Sequence, residues 1–285
     1  MNKIGFNVLA WSAVISEELL PILDRLKEIG YDGVEFFIGA AEAPICRKVG
    51  QHAQDIGLEV TTVFSLGPEE NIIDASASVR QRGLERIKEA VDRAQDLTSP
   101  IVCGPFHSAF ATFAQRGPQE QEYAWSAEAL YAAGDYAAQA EVMLAPEALN
   151  RFECYLCNTM EQLKHLIDLV DHPHVQAMFD THHANIEEKQ MADAIRTISP
   201  HLRHVHISEN DRGTPGAGHV RWDETFATLA DINFSGWLTI EGFTRNDPDF
   251  ANAINVWREF AQPWDMAERG LKFIQEMLAK HQRKN

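Results

Sequence analysis

Short apolar runs alternate with helically periodic stretches along the whole chain. Eight runs read as β-strands: IGFNVLAW (4–11), GVEFFIG (33–39), EVTTVFSL (59–66), IVCGPFH (101–107), VMLAPE (142–147), VQAMFD (175–180), LRHVHI (202–207) and GWLTIE (236–241). Between them apolar residues recur at helical spacing, as in Leu19, Ile22, Leu23, Leu26 and Ile29 before Gly30, or Leu84, Ile87 and Val91. Such spacing lines one face of an α-helix. Gly30 and Gly57 stand where helix C-caps are expected. Eight β-then-α units without a hairpin signal predict an α/β fold, a (β/α)8 TIM barrel. No G-x-G-x-x-G follows the first run, which counts against a dinucleotide-binding sheet. With no Gly/Ser/Pro-rich linker, residues 1–285 read as a single domain with an extended C-terminal helical segment. The VWREFAQPW aromatics of that segment are open to three readings: a cover for a barrel end, a subunit contact, or part of an extra packed helix.

Runs five to eight each carry a polar residue at or next to their last position: Glu147, Asp180, His206 and Glu241, separated by 33, 26 and 35 positions. Each separation approximates one strand-plus-helix unit. Side chains alternate between barrel interior and helix layer along a strand. Trp237, Thr239 and Glu241 therefore share the inner face of the eighth strand, His204 and His206 that of the seventh, and Gln176, Met178 and Asp180 that of the sixth. The carboxyl ends of barrel strands are where active sites lie. A charge buried there alone costs several kcal/mol. Three carboxylates and one imidazole meeting at a divalent cation would satisfy all four. Such an ion polarises a carbonyl and stabilises an enediolate, while Glu147 and Glu241, facing each other across the carbon, exchange its proton between opposite faces.

Composition narrows the partners. With 42 acidic against 25 basic residues the formal net charge is −17, a surface that repels nucleic acid and acidic membranes. The start, MNKIGFNVLAW, is too short an apolar run for a signal segment, and no stretch approaches the ~20 apolar residues of a membrane span. A cytoplasmic protein is expected, with disorder confined to HQRKN at the end. Cys46, Cys103, Cys154 and Cys157 are too scattered for a disulfide framework. The C-x2-C of Cys154 and Cys157 lacks a second pair, so it reads as two small residues near a helix start.

The strings NRFE (150–153), FDTHHANIEE (179–188), HVHISENDR (204–212) and RWDETF (221–226) resemble the D-tagatose/D-psicose (allulose) 3-epimerase family of xylose-isomerase-like barrels. The resemblance covers most of the chain and is densest from about residue 142 to 245. It implies one divalent metal ion, Mn²⁺ first and Co²⁺ or Mg²⁺ as alternatives, held by Glu147, Asp180, His206 and Glu241, with the two glutamates as the acid/base pair. It further implies a substrate-binding role for Glu153, His183 and Arg212 around the sugar's O1 to O3 end. A homodimer or homotetramer is implied as well. The expected activity is metal-dependent 3-epimerisation of a free ketohexose or ketopentose through an enediolate. Its alternative is a related sugar isomerase or inosose-type dehydratase using the same metal site. No Lys/Arg cluster or Gly-rich phosphate nest follows strands seven and eight, which favours an unphosphorylated substrate. Departures from the family pattern are Pro146 before Glu147, Gly242 where proline often follows the last glutamate, and N-terminal loops that match only loosely.

Other residues receive plainer readings. Trp11 either lines the sugar pocket or belongs to ordinary core. His182 reads as structural and His204 as filling a barrel layer. His172, His174 and His219 read as surface or loop positions, and Asp32, Glu35, Glu69 and Glu70 as solvated faces or caps.

Overall fold

Eight parallel strands, β1 (Lys3–Asn7), β2 (Gly33–Phe37), β3 (Glu59–Val63), β4 (Ile101–Gly104), β5 (Met143–Pro146), β6 (Ala177–Asp180), β7 (Leu202–Ile207) and β8 (Trp237–Ile240), form one sheet in the order β5-β4-β3-β2-β1-β8-β7-β6. The structure is a computed structural model describing residues 2–281; the last four residues of HQRKN lie outside the described residues. The sheet closes between β5 and β6 through a parallel bridge from Leu144 to Val175. There Gln176 N–H donates to the Leu144 carbonyl and Leu144 N–H to the His174 carbonyl, both at 2.8 Å. The predicted single TIM barrel is the fold found.

Helices α1 (Leu20–Ile29), α2 (Ala43–Asp55), α3 (Ala77–Asp96), α4 (Glu120–Gln139), α5 (Met160–Val170), α6 (Thr181–Glu187), α7 (Met191–Ile198), α8 (Trp222–Asp231), α9 (Pro248–Ala253) and α10 (Pro263–His281) follow the strands. Their apolar faces pack against the outward strand residues Phe6, Val34, Phe36, Val102, Leu144, Phe179, Val205 and Leu238, all buried in one core. Most of the stabilising apolar burial thus lies between barrel and helices. Gly30 caps α1 in the left-handed conformation at φ 108°, as expected. None of the described helices is long and apolar enough to cross a membrane.

The first run is a strand only as far as Asn7. Its side-chain oxygen accepts Leu9 N–H at 2.9 Å and turns Val8–Ala10 into a 3-10 helix. The C-terminal segment serves partly as a cover for the barrel end. Ala251 and Val256 pack with Leu9 and Phe243 near the carboxyl ends of the strands, while α10 lies against α8 and β1, with Tyr31 Oη donating to the Ala267 carbonyl at 2.7 Å. Cys154 and Cys157 are buried free thiols preceding α5. Cys154 Sγ lies 3.5 Å from His107 Nε2.

The barrel interior is filled differently from the helix layer. Trp237 forms its floor, and a Cβ on Gly33 would come within 2.5 Å of the indole, so only glycine fits there. Above it stand polar side chains: Glu35, Thr61, His204 and Thr239, all buried. Barrel interiors ordinarily hold bulky branched apolar residues.

Past β7 the chain folds around Glu209. This buried carboxylate accepts from Asn210 N–H (3.0 Å), Gly216 N–H (2.8 Å), Val220 N–H (3.1 Å) and Trp222 Nε1–H (3.0 Å). Burial alone would raise its pKa, but these donors outweigh it and hold the carboxyl below its usual range. Its contribution to stability is therefore complete above the usual glutamate pKa of about 4.3 and drains away as pH falls through the lowered value. Glu209→Gln turns an NH₂ toward donors; we expect a loss of about 3 kcal/mol and a melting temperature lower by roughly 6–9 °C. An unchanged melting curve by circular dichroism would remove Glu209 from this role.

Candidate active site

Asp180, the last residue of β6, and His206, next to last in β7, are direct partners across the ladder, and Glu147 and Glu241 immediately follow β5 and β8. All four are buried. Ligand atoms of Glu147, Asp180 and His206 lie within 4.8 Å of one another. Glu241 Oε2 joins them at 3.4 Å from His206 Nδ1, with Asp180 Oδ2 at 3.6 Å from the same nitrogen. The four predicted strand ends therefore converge.

Local structure aims each group. Asp180 is the N-cap of α6, its Oδ1 accepting His182 N–H (2.6 Å) and His183 N–H (3.1 Å), which leaves Oδ2 for the centre. Glu147 is anchored through its own N–H to the Gly104 carbonyl at 2.9 Å. The Glu241 carbonyl accepts from Ser208 Oγ at 2.7 Å.

Arg212 reaches into the same cluster. Its Nη1 donates to Glu241 Oε2 (2.8 Å), Asp180 Oδ2 (3.0 Å) and Ser208 Oγ (2.7 Å), and its guanidinium stacks over Phe243. The loop that Glu209 closes sets its backbone at φ 64°, a left-handed value that is uncommon for arginine. His183 lies between Arg212 Nη2 (2.9 Å) and Glu147 Oε1 (3.7 Å) from its Nε2. Its Nδ1 accepts Asn150 N–H at 3.1 Å, and the Asn150 amide in turn donates to Glu153 Oε1 at 2.9 Å. Glu153, His183 and Arg212 thus form one connected wall, joined by Asn150, which the sequence reading passed over although it opens the N-R-F-E string.

Buried charge sets the protonation. Burial and then the nearby Asp180 and Glu241 carboxylates push the Glu147 carboxyl well above its usual range, with His206 and Arg212 opposing. Burial works against a charged His206, but Glu241 and Glu35 outweigh it and raise its pKa. Burial works to raise the pKa of Asp180, but the Arg212 charge and the contact with His206 outweigh it and drive it down. Burial, more than any neighbour, lowers the pKa of His183 and keeps the ring neutral.

Other expectations sort out as follows. Trp11 packs with Phe6 and Trp264, ring centroids 5.2 and 4.7 Å apart, against the core of the helix layer, while the carboxylates cluster on the inner side. His182 is structural, its Nδ1 3.1 Å from the Glu209 carbonyl. His204 fills the interior layer under His206, as read. His172 lies in the loop between α5 and β6, as read, with its ring buried against Tyr131. The reading of Glu35 as a solvated face or cap is wrong. It is fully buried, 2.7 Å from His206 Nε2 and 3.0 Å from His204 Nε2. Strand parity carried the signal, since Gly33 and Glu35 share the inner face while Val34 and Phe36 face the helices.

A family model described as a xylose isomerase-like TIM barrel matches residues 23–277. The chain belongs to that family. This xylose isomerase-like barrel is 30% identical over 279 residues to the L-ribulose 3-epimerase of Mesorhizobium japonicum, spanning 96% of the chain and 93% of the relative. To the D-psicose 3-epimerase of Agrobacterium fabrum it is 29% identical over 273 residues, 93% of each. The solved structure of D-allulose 3-epimerase from Methylomonas sp. in complex with D-allulose superposes with a TM-score of 0.90 at 26% identity, covering 97% of both chains. With relatives of this kind, the chain is an isomerase-class enzyme of the ketose 3-epimerase group.

The residues present fit a divalent ion. Glu147 Oε1 and His206 Nδ1 are buried without hydrogen-bond partners, and unpaired buried polar atoms are rare. Among the described residues, the four buried carboxylates Glu35, Glu147, Asp180 and Glu241 face one arginine, Arg212, and the rings of His183, His204 and His206. Ligands must be proton-free to bind metal, and Glu147 and His206 hold protons more tightly than usual. Mn²⁺ affinity is therefore expected to climb as pH rises through neutrality, with proton release on binding. Calorimetry in buffers of different ionisation enthalpy measures this, and an affinity flat from acid to neutral pH contradicts it.

Proposed function

We propose that the chain is a metal-dependent ketose 3-epimerase acting on an unphosphorylated ketohexose or ketopentose, with Glu147, Asp180, His206 and Glu241 as metal ligands. The observation that carries this reading is the convergence of three strand-end carboxylates on the partnerless His206 Nδ1. Relatives named as ketose epimerases over nearly the full length support the substrate class. A divalent ion held there supplies the positive charge that polarises the ketose carbonyl and eases loss of the C3 proton, with Mn²⁺, Co²⁺ or Mg²⁺ suited to an oxygen-rich donor set.

The remaining work falls to the protein. Glu147 and Glu241, just past the ends of β5 and β8, flank the reacting carbon: one carboxylate removes the C3 proton, leaving an enediolate, and the other returns a proton to the opposite face. Inversion at C3 follows, and the roles exchange for the reverse reaction. Arg212 and His183 present donors to the O1 to O3 end of the sugar, and Glu153 orients that end through Asn150. Burial of the cluster keeps bulk water away from the intermediate.

Two experiments test the reading. At saturating Mn²⁺, Glu241→Gln is expected to lower solvent-deuterium incorporation at C3 by about 10³-fold or more in protein that circular dichroism shows to be folded; exchange at the wild-type rate would exclude Glu241 from proton transfer. A screen of free ketoses, read by chromatography, is expected to yield the C3 diastereomer, to stop after chelation and to resume with Mn²⁺, Co²⁺ or Mg²⁺. Loss of water from the sugar, or full turnover by verified metal-free protein, overturns it.

A further inference from the structure

Glu35 lies one layer below the four proposed ligands and touches one of them directly. Its Oε1 is 2.7 Å from His206 Nε2. A carboxylate only accepts hydrogen bonds, so this contact places the imidazole proton on Nε2. When the ring gives up its other proton, as metal binding requires, the lone pair is left on Nδ1, the nitrogen that faces Asp180 and Glu241.

Glu35 is itself held from several sides. Asn7 Nδ2 donates to Oε1 at 3.0 Å, and Thr61 Oγ1 (3.0 Å) and Cys103 Sγ (3.3 Å) donate to Oε2. Strand register produces this, because Glu35 pairs with Asn7 of β1 on one side and Thr61 of β3 on the other. The Asn7 amide cannot flip freely, since its oxygen is engaged by Leu9 N–H. Its nitrogen therefore also points to Glu241 Oε1, at 3.4 Å. The result is a buried ring, His206–Glu35–Asn7–Glu241, in which two proposed ligands are tied together beneath the site.

We propose that Glu35 is a positioning residue of the metal site, fixing the tautomer and ring orientation of His206 and, through Asn7, its placement relative to Glu241. The proposal rests on the four-ligand reading above. Partners of metal-bound histidines that hold the far nitrogen are worth 10- to 100-fold in metal affinity in general.

The test is calorimetric titration with Mn²⁺ alone, without sugar, of the wild type, Glu35→Gln and Glu35→Leu, each checked for folding by thermal melting. Glu35→Gln keeps an acceptor oxygen but no charge and is expected to bind about 10-fold more weakly; Glu35→Leu is expected to lose about 100-fold. The visible spectrum of bound Co²⁺ should shift in the leucine variant. A folded Glu35→Leu protein with wild-type Mn²⁺ affinity and an unaltered Co²⁺ spectrum overturns the proposal and leaves the four-ligand reading standing. A wild type that binds no Mn²⁺ overturns both. Should the leucine variant fail to fold, ¹⁵N-histidine NMR of the Zn²⁺-loaded wild type decides. Nδ1 bound and Nε2 protonated at His206 is the expected pattern, and metal on Nε2 refutes it.

Discussion

Too many carboxylates are buried at one end of this barrel for the protein's own cations to balance them. Glu35, Glu147, Asp180 and Glu241 are withdrawn from water within one side chain's reach of His206. In a medium of low effective dielectric such charges interact strongly and cannot be left uncompensated. Each is compensated locally: Asp180 by α6 backbone amides and Arg212, Glu35 by two histidines and Glu241 by Arg212, while the Glu147 carboxyl is pushed well above its usual range. Much of the surrounding architecture serves these remedies. The loop around Glu209 delivers Arg212, the N-terminus of α6 receives Asp180, and Asn150 links His183 to Glu153.

The barrel divides its labour between two layers. Outward-facing strand residues and the helices carry the apolar burial that stabilises the fold. The interior gives up part of that stabilisation for a polar column, with Trp237 at the floor, His204 and Glu35 in the middle and the proposed ligands at the mouth. The column is rigid because its members are fixed by strand register, and a site built on strands holds its geometry better than one built on loops.

Departures from the family pattern have local physical explanations. Gly242 follows Glu241 because a Cβ there would come within 2.3 Å of Met266 Sδ and 2.8 Å of the Arg212 carbonyl. Close approach of the two loops lets Phe243 N–H donate to that carbonyl at 2.9 Å, which ties the end of β8 to the segment carrying Arg212. Pro146 ends β5, its carbonyl-side neighbour Glu147 being held instead through its own N–H. The loosely matching N-terminal loops contribute Trp11 to an aromatic cluster with Phe6 and Trp264.

The period-two alternation of the strands, the helical spacing between them and the polar residues ending runs five to eight were enough to determine the barrel and to place Glu147, Asp180, His206 and Glu241 at its mouth, because both follow from local repeats in a single chain. Parity alone also held the position of Glu35, unused because an isolated acid in a strand has the same one-letter signature whether it faces water or the barrel axis. Only the tertiary structure decided that burial and neighbouring charge push the Glu147 carboxyl above its usual range, that Arg212 bridges Asp180 and Glu241, and that Asn7 and Glu35 stand beneath His206. Those contacts join residues 28 to 234 positions apart, and closure of the barrel, not any local motif, brings them within hydrogen-bonding distance.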